Sequence, residues 1–166
     1  MLIASMNPCP CGYYTHPKKA CSCTPLLRKR YIGKISGPLL DRIDIHLSVN
    51  PVSWDDMKGS SETTDSRSMK EKVARARQRQ AERFAAHKGV YSNSMMSPKL
   101  VQSLCELPSA TDSLLNKVMK KLNLSARAYT SIRKVARTIA DLAESEHILE
   151  NHVGEAVLYR SLDRDS

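Results

Sequence analysis

The residues between Ser125 and Ala143 carry the strongest periodic pattern in the chain. Apolar side chains recur there at spacings of three and four residues, which places them on one stripe of an α-helix. The stripe consists of Ala128, Ile132, Val135, Ala136, Ile139 and Leu142. Because an amphipathic helix gains most of its stability by burying such a stripe, other elements have to pack against it. The pattern therefore predicts a helical domain in the second half of the chain.

Further helices are predicted on both sides of this one, over residues 26–35, 68–88, 98–106, 111–122 and 149–162. The clearest start is Ser97-Pro98, an N-cap residue followed by proline at the first helical position. Gly89 is expected to end the helix at 68–88. Residues 52–67 are polar and contain a Ser/Thr cluster, so they are predicted to be a linker.

Two groups of charged residues on these helices have a candidate role: a row of arginines in the helix at 68–88 and a series of carboxylates in the last two helices. In the helix at 68–88, Arg75, Arg79 and Arg83 recur every four residues. They indicate either a contact with a phosphate backbone or a connector that packs against a neighbouring subunit, and we favour the connector. The carboxylates of the last two helices are expected to form a solvated face and not a metal site: Asp141, Glu144, Glu146, Glu150 and Glu155.

Two strands are predicted in the first part of the chain. Leu2–Ser5 is a short apolar run, and Leu39–Val49 alternates Ile43, Ile45, Leu47 and Val49 with polar residues. Two strands and one helix bury too little surface to form a domain, so further sequence is expected upstream. The predicted fold class is α+β and mostly α, with a strand–loop–helix–strand part followed by a linker and a helical domain.

Charge is distributed unevenly along the 166 residues, whose net charge is +9. Residues 1–51 hold seven Lys/Arg against two Asp/Glu, residues 67–88 hold eight against two, and residues 89–166 are nearly balanced. Clustered basic charge favours a polyanion such as nucleic acid, or an acidic subunit. No signal peptide and no apolar run of about 20 residues is visible, so a cytoplasmic protein without membrane contact is predicted.

Four cysteines lie within 15 residues, as Cys9-Pro-Cys11 and Cys21-Ser-Cys23. Four thiolates can hold a structural Zn²⁺ tetrahedrally, with His16 as a spare ligand; the alternative is a reduced cysteine loop without metal. Basic residues that flank the cluster indicate that the loop faces DNA: Lys18, Lys19, Arg28, Lys29 and Arg30. The fifth cysteine, Cys105, is expected in a helical core.

Several motifs occur in one order along the chain. Asn7-Pro-Cys-Pro-Cys-Gly-Tyr-Tyr14 opens it, and Ser36-Gly-Pro-Leu-Leu-Asp-Arg-Ile-Asp-Ile45 follows. Leu124-Ser-Ala-Arg-Ala-Tyr129 precedes the striped helix, and Glu155-Ala-Val-Leu-Tyr-Arg-Ser-Leu162 closes the series. Together these motifs resemble the magnesium-chelatase-like AAA+ ATPases of the ComM/YifB group over nearly the whole chain.

This resemblance implies roles for individual residues and for the whole protein. Asn7 falls on sensor 1, Arg42 on an arginine finger that acts in trans, and Arg127 on sensor 2, which acts in cis. Residues 1–51 would be the C-terminal part of an AAA+ core and residues 68–166 a connector helix and lid. The family also implies ATP and Mg²⁺, a homo-hexameric ring, and DNA remodelling such as branch migration.

The chain departs from the family pattern in one respect. It contains no G-x-x-x-x-G-K-[ST] phosphate loop and no acidic Walker B pair. Alone, the chain is therefore predicted to be inactive as an ATPase. Two alternatives stay open: a stand-alone, zinc-stapled nucleic-acid-binding module without catalysis, and an assembly fragment that only mediates subunit packing.

Overall fold

The computed structural model describes residues 2–49 and 65–160, which are mostly helical. The helices are α1 (Pro25–Ile32), α2 (Gly37–Leu40), α3 (Ser66–Phe84), α4 (Pro98–Leu104), α5 (Ser109–Lys121), α6 (Ala126–Leu142) and α7 (Glu150–Leu158). A 3₁₀ turn covers Asn93–Met95. Six of the seven helices were predicted; the end of the predicted last helix, at 161–162, lies outside the described residues. None of the described helices has the length and apolarity to cross a membrane.

Side-chain caps explain where three of the helices begin. Ser97 accepts a hydrogen bond from the Leu100 amide at 3.3 Å and starts α4, as predicted. Asp65 accepts from the Ser68 amide at 2.6 Å, which starts α3 two residues earlier than predicted. The third cap, Ser125, starts α6 and is described with the site below. Of the predicted linker, residues 52–64 lie outside the described part.

The described residues form two compact units. The first comprises residues 2–40 and 48–49, and the second comprises Asp41–Leu47 together with residues 65–160. The second unit is built around α6, which packs against α3, α4, α7 and the 3₁₀ turn. Its core is aliphatic apart from one aromatic ring: Phe84, Met96, Val101, Cys105, Leu115, Ile132, Ala136, Ala140, Ile148, Val153, Ala156 and Val157. The burial of Cys105 confirms the prediction for that residue.

Neither predicted strand is present among the described residues. Residues 2–7 have no regular structure and are exposed. In Leu39–Val49, α2 ends at Leu40 and the only pairing is a parallel bridge between His46 and Arg160. The alternation also misidentified the buried face, because His46 is buried while Ile45 and Leu47 are 48% and 68% exposed. A strand requires a partner along its length, and in the described chain the backbone of this segment beyond α2 pairs with another segment only at His46, with the residues after α7.

Candidate functional site

The four clustered cysteine sulfurs converge in the first unit. The Sγ atoms of Cys9 and Cys11 are 3.3 Å apart, and Cys21 Sγ lies 3.7 and 3.6 Å from them. With Cys23, all four sulfurs lie within 4.8 Å of one another. A tetrahedral zinc with bonds of about 2.3 Å has sulfur–sulfur edges of about 3.8 Å, so the donor set and its spacing fit such an ion. The cluster can therefore bind a metal.

Local turns bring the two Cys-x-Cys pairs together. The Gly12 amide donates to the Cys9 carbonyl at 3.0 Å, and Gly12 has φ of +80°, which only glycine adopts at little cost. On the return path, His16 Nδ1 accepts from the amides of Lys18 and Lys19, both at 3.1 Å. The predicted role of His16 as a spare ligand is wrong, because this nitrogen caps the loop and the residue lies outside the cysteine cluster.

The thiols of the cluster differ in their acidity. A backbone hydrogen bond at Tyr13 is the main cause that lowers the pKa of Cys11 to about 5. Burial raises the pKa of Cys23 to about 12. Metal ligation requires thiolates, so a bound cation would favour the deprotonated form of all four cysteines, most of all where burial opposes it, as at Cys23.

Basic and aromatic side chains surround this cluster. Arg28 Nη1 donates to the Cys23 carbonyl at 2.7 Å, and its guanidinium lies 4.3 Å from the centroid of the Tyr14 ring. Lys19 Nζ lies 5.0 Å from the centroid of Tyr13. Of the residues predicted to contact nucleic acid, Lys18, Lys19, Lys29 and Arg30 are exposed and Arg28 is half-buried. Asn7 belongs to the same unit; it is exposed, and its side-chain amide lies near Gly12.

The segment that carries Arg42 is held against the second unit's helices. Asp41 Oδ1 accepts from Ser125 Oγ at 2.8 Å and from Arg160 Nη2 at 3.2 Å. Arg160, which is almost completely buried, also donates through Nη1 to the Ile43 carbonyl at 2.7 Å. Asp44 accepts a hydrogen bond from Ser131 of α6. These contacts on both sides of Arg42 define the position of its backbone, while its side chain is exposed.

The second predicted arginine, Arg127, lies two residues after Ser125, which is the hydrogen-bond partner of Asp41. Ser125 Oγ accepts from the Ala128 amide at 3.0 Å and so caps α6 while it donates to Asp41. Arg127 is in the first turn of α6 and is exposed, on the side expected from the apolar stripe. The structure thus places the segments of Arg42 and Arg127 together.

A buried polar network at the opposite end of α6 was not predicted. Asp141 is fully buried and accepts from Arg83, Arg137 and Asn93, so its predicted place on a solvated face is wrong. Burial alone would raise the pKa of Asp141, but hydrogen bonds from Arg83 and Asn93 and the charges of both arginines lower it. All three arginines that recur every four residues on α3 take part. Arg83 belongs to the buried network, and Arg75 and Arg79 donate to Glu144 beside it at 2.7 and 2.8 Å. Within their own unit, Arg83 therefore binds α6, and Arg75 and Arg79 bind Glu144 just after its end.

Comparison with known proteins identifies the family. Residues 63–160 match the family "Magnesium chelatase, subunit ChlI C-terminal", and residues 1–57 match "Magnesium chelatase, subunit ChlI". The chain belongs to the magnesium-chelatase family. The motifs at Asn7, Arg42 and Arg127 all lie within the matched ranges, which confirms the resemblance inferred from the sequence.

Among magnesium-chelatase relatives, the similarity extends over nearly all of this chain. It is 37% identical over 164 residues to the competence protein ComM of Haemophilus influenzae and 36% identical over 168 residues to the uncharacterized protein YifB of Escherichia coli. In both cases the match covers 98% of this chain and 31% of the relative. An uncharacterized protein of Mycobacterium tuberculosis is 31% identical over 142 residues, or 86% of this chain and 27% of that protein. The chain thus spans about a third of the length of the curated relatives it matches.

Proposed function

We propose that this chain is the C-terminal part of an AAA+ ATPase that remodels DNA, in which residues 1–51 complete an α/β core and the helical unit forms the lid. Arg42 would be the arginine finger for a neighbouring subunit, Arg127 the sensor 2 residue, and Asn7 the sensor 1 residue. ATP and Mg²⁺ would bind to segments that carry a phosphate loop, which the 166 residues do not contain. The hydrogen bond between Asp41 and Ser125 carries the proposal, because it attaches the backbone next to Arg42 to the start of the helix that carries Arg127.

The chemistry of the two arginines supports these roles. A guanidinium stays charged at all physiological pH values and can donate two hydrogen bonds at once to phosphate oxygens. Charge that develops on a transferred phosphoryl group is stabilised most by donors whose positions are defined in advance. The backbone from which the Arg42 guanidinium extends is held in this way, because Asp41, Ile43 and Asp44 all have partners in the helical unit.

The wider assignment rests on charge and family. The resemblance to ComM/YifB-type ATPases implies work on DNA in the cytoplasm, performed by a homo-hexameric ring, and the Haemophilus influenzae relative is named a competence protein. The basic residues near the cysteines would contact DNA phosphates: Lys18, Lys19, Arg28, Lys29 and Arg30. Such contacts do not depend on base sequence and weaken steeply with salt.

A chimera tests the motor proposal. The segment of Haemophilus influenzae ComM that matches this chain would be replaced by residues 1–166, and ATP hydrolysis would be measured with and without DNA. Arg42→Ala should lower hydrolysis about 10³-fold, as expected for an arginine finger. Arg127→Ala should raise the KM for ATP about tenfold or more, because a charge-assisted hydrogen bond is lost. Arg67→Ala, which removes only an exposed pair with Glu71, is the matched control and should change neither.

Mixing distinguishes action in trans from a structural role for Arg42. The Arg42→Ala chimera would be mixed with one whose phosphate-loop lysine is replaced, each being inactive by itself. Mixed rings should regain hydrolysis, because an intact Arg42 of one subunit then reaches an intact phosphate loop of the next. Hydrolysis by the Arg42→Ala chimera within threefold of the parent, or no recovery on mixing, would contradict the proposal.

We further propose that Cys9, Cys11, Cys21 and Cys23 hold a structural Zn²⁺. When bound, the ion would cross-link the two ends of the loop and supply no open position for catalysis. Elemental analysis of this chain, purified without chelator, should give about one zinc per molecule. Cys9→Ser and Cys21→Ser should abolish it, and Cys105→Ala should not. Absence of zinc and of other transition metals from the parent chain would contradict this proposal.

A further inference from the structure

The cysteine-containing unit is basic throughout its described length. Residues 2–40 contain six Lys or Arg and no Asp or Glu: Lys18, Lys19, Arg28, Lys29, Arg30 and Lys34. None of these cations forms an ion pair within the described part of the chain. A surface of one sign without compensating carboxylates attracts a polyanion, so the partner should bring the negative charge that the unit lacks.

Two consecutive tyrosines lie in the loop between the cysteine pairs. Tyr13 is 38% exposed and Tyr14 is 51% exposed, and neither hydroxyl has a hydrogen bond within the described residues. Large aromatic rings are usually buried, and those at the surface of a basic loop require an explanation. Neither ring is among the buried residues of the part of the chain that the structure describes, so both have surface available for a ligand.

Cations hold both rings in defined positions. Arg28 stacks on Tyr14 at 4.3 Å and is itself tied to the Cys23 carbonyl, whereas Lys19 lies 5.0 Å over Tyr13. His16 packs edge-on against Tyr13, with ring centroids 5.7 Å apart. The rings therefore lose little conformational freedom when a flat ligand stacks on them, which favours binding. About half of Tyr14 stays exposed even though Arg28 covers part of its ring.

We propose that Tyr13 and Tyr14 form a stacking platform for unpaired bases of single-stranded DNA, with the surrounding Lys and Arg side chains on the phosphates. The proposal rests on the DNA function proposed above and specifies the form of DNA. Alternating aromatic and basic groups are typical of sites that bind single strands without sequence preference, since every base has a flat face. A duplex hides those faces and could use only the cations.

The platform depends on the cysteine cluster for its shape. Tyr13 and Tyr14 lie between Cys11 and Cys21, and the residue that holds Arg28 in place is Cys23. Loss of the metal, or of the cluster geometry, should therefore weaken binding to single strands more than binding to duplex. Binding to duplex depends on the charges of the Lys and Arg side chains. Removal of a metal does not change these charges.

The experiment is fluorescence anisotropy of this chain with labelled 20-nucleotide single strands and with the matching duplex. Tyr13→Ala/Tyr14→Ala should weaken single-strand binding at least tenfold, because each stacked base contributes that much. Duplex binding should change less than threefold. Tyr13→Phe/Tyr14→Phe keeps both rings and should bind like the parent, and Lys117→Ala/Lys120→Ala removes two lysines of α5 as a charge control.

Each outcome decides one point. Equal single-strand binding by the Tyr→Ala variant, with unchanged metal content and circular dichroism, would overturn the platform but leave DNA as a partner. Equal weakening for single strand and duplex would also overturn it, since the effect of the tyrosines would then not depend on unpaired bases. No binding of either DNA by the parent chain would overturn the platform and remove the support for DNA contact by this unit. ATP hydrolysis by the chimera tests the motor proposal separately.

Discussion

Arg83 and Asp141 form a two-point ion pair inside the helical unit, with Nη1–Oδ2 and Nη2–Oδ1 distances of 2.8 and 2.5 Å. Arg137 adds a third hydrogen bond to the same carboxylate, and Asn93 Nδ2 adds a fourth at 2.8 Å. The remaining donors of Arg137 are bound to the carbonyls of Ser145 and Glu146. The network therefore joins α3, the 3₁₀ turn, α6 and the loop before α7 at one buried carboxylate.

Asp141→Asn should destabilise the helical unit by about 3–5 kcal/mol, because it leaves two buried guanidiniums without their counter-charge. Urea unfolding of the chain, followed by circular dichroism at 222 nm, measures this loss. Glu71→Gln removes the carboxylate of an exposed pair with Arg67 and should cost less than about 0.5 kcal/mol. A loss below about 1 kcal/mol for Asp141→Asn would show that the network does not stabilise the fold.

The same carboxylate makes stability depend on pH. The pKa of Asp141 is lowered below its ordinary value of 3.8, so between the two pKa values the unfolded chain binds more protons than the folded chain. Its contribution is then complete above about pH 4 to 5 and is lost as the pH falls through the folded pKa. The difference in unfolding free energy between the parent and Asp141→Asn should shrink as the pH is lowered from about 5 toward 2. A constant difference over this range would contradict the assignment.

Local signals were read correctly from the sequence, whereas long-range ones were not. Ser97 and Ser125 were predicted as helix starts because an N-cap and its helix lie within a few residues. Asp141 was placed on a solvated face because its neighbours Glu144 and Glu146 are exposed carboxylates. Its burial depends on Arg83, which is 58 residues earlier and was itself recognised only as part of a basic row.

In the candidate site, too, local contacts were predicted from the sequence and long-range contacts were not. The convergence of the four cysteines was predictable because they lie within one short loop, and the structure confirms that they can bind a metal. The attachment of Asp41 to Ser125 spans 84 residues, and the wrong strand prediction for Leu39–Val49 concealed it. Tyr13 and Tyr14 were noted only as motif letters, since exposure of an aromatic ring cannot be read from its position in a sequence.

Asp41 and Ser125 should be energetically coupled. Ser125→Ala removes both a helix cap and a donor to Asp41, and it should cost about 1–2 kcal/mol of unfolding free energy. In a double-mutant cycle with Asp41→Ala, a coupling of about 0.5–1 kcal/mol is expected. Ser97→Ala is the matched control, because Ser97 caps α4 with no such partner in the described chain. It should lose about 1 kcal/mol and show no coupling to Asp41. Equal coupling in both cycles would contradict the contact.

Arg160→Met should release the segment that carries Arg42. Arg160 donates to Ile43 and Asp41, and the next pairing in the segment is the His46 amide to the Tyr159 carbonyl, at 2.6 Å. Methionine keeps much of the buried volume but none of the donors, so exchange of the His46 amide hydrogen should accelerate at least tenfold. Lys121→Met, an exposed change at the end of α5, should leave that rate unchanged. Unaltered exchange in Arg160→Met would show that Asp44 and Ser131 suffice to hold the segment.

Thiol reactivity should divide the five cysteines into two groups. Burial raises the pKa of Cys105 to about 11 and hides its sulfur in the helical core, so both the thiolate fraction and its access are low. In the metal-bound chain no thiol should react quickly with Ellman's reagent at neutral pH. After chelation the loop that contains the four clustered cysteines should lose its cross-link and open, so that all four react, and the fifth should follow only when the helical unit unfolds in urea. Cys105→Ala should remove the slow phase and leave the four fast thiols. If a fifth thiol reacted quickly in the folded, chelated chain, Cys105 would be accessible and its place in the core wrong.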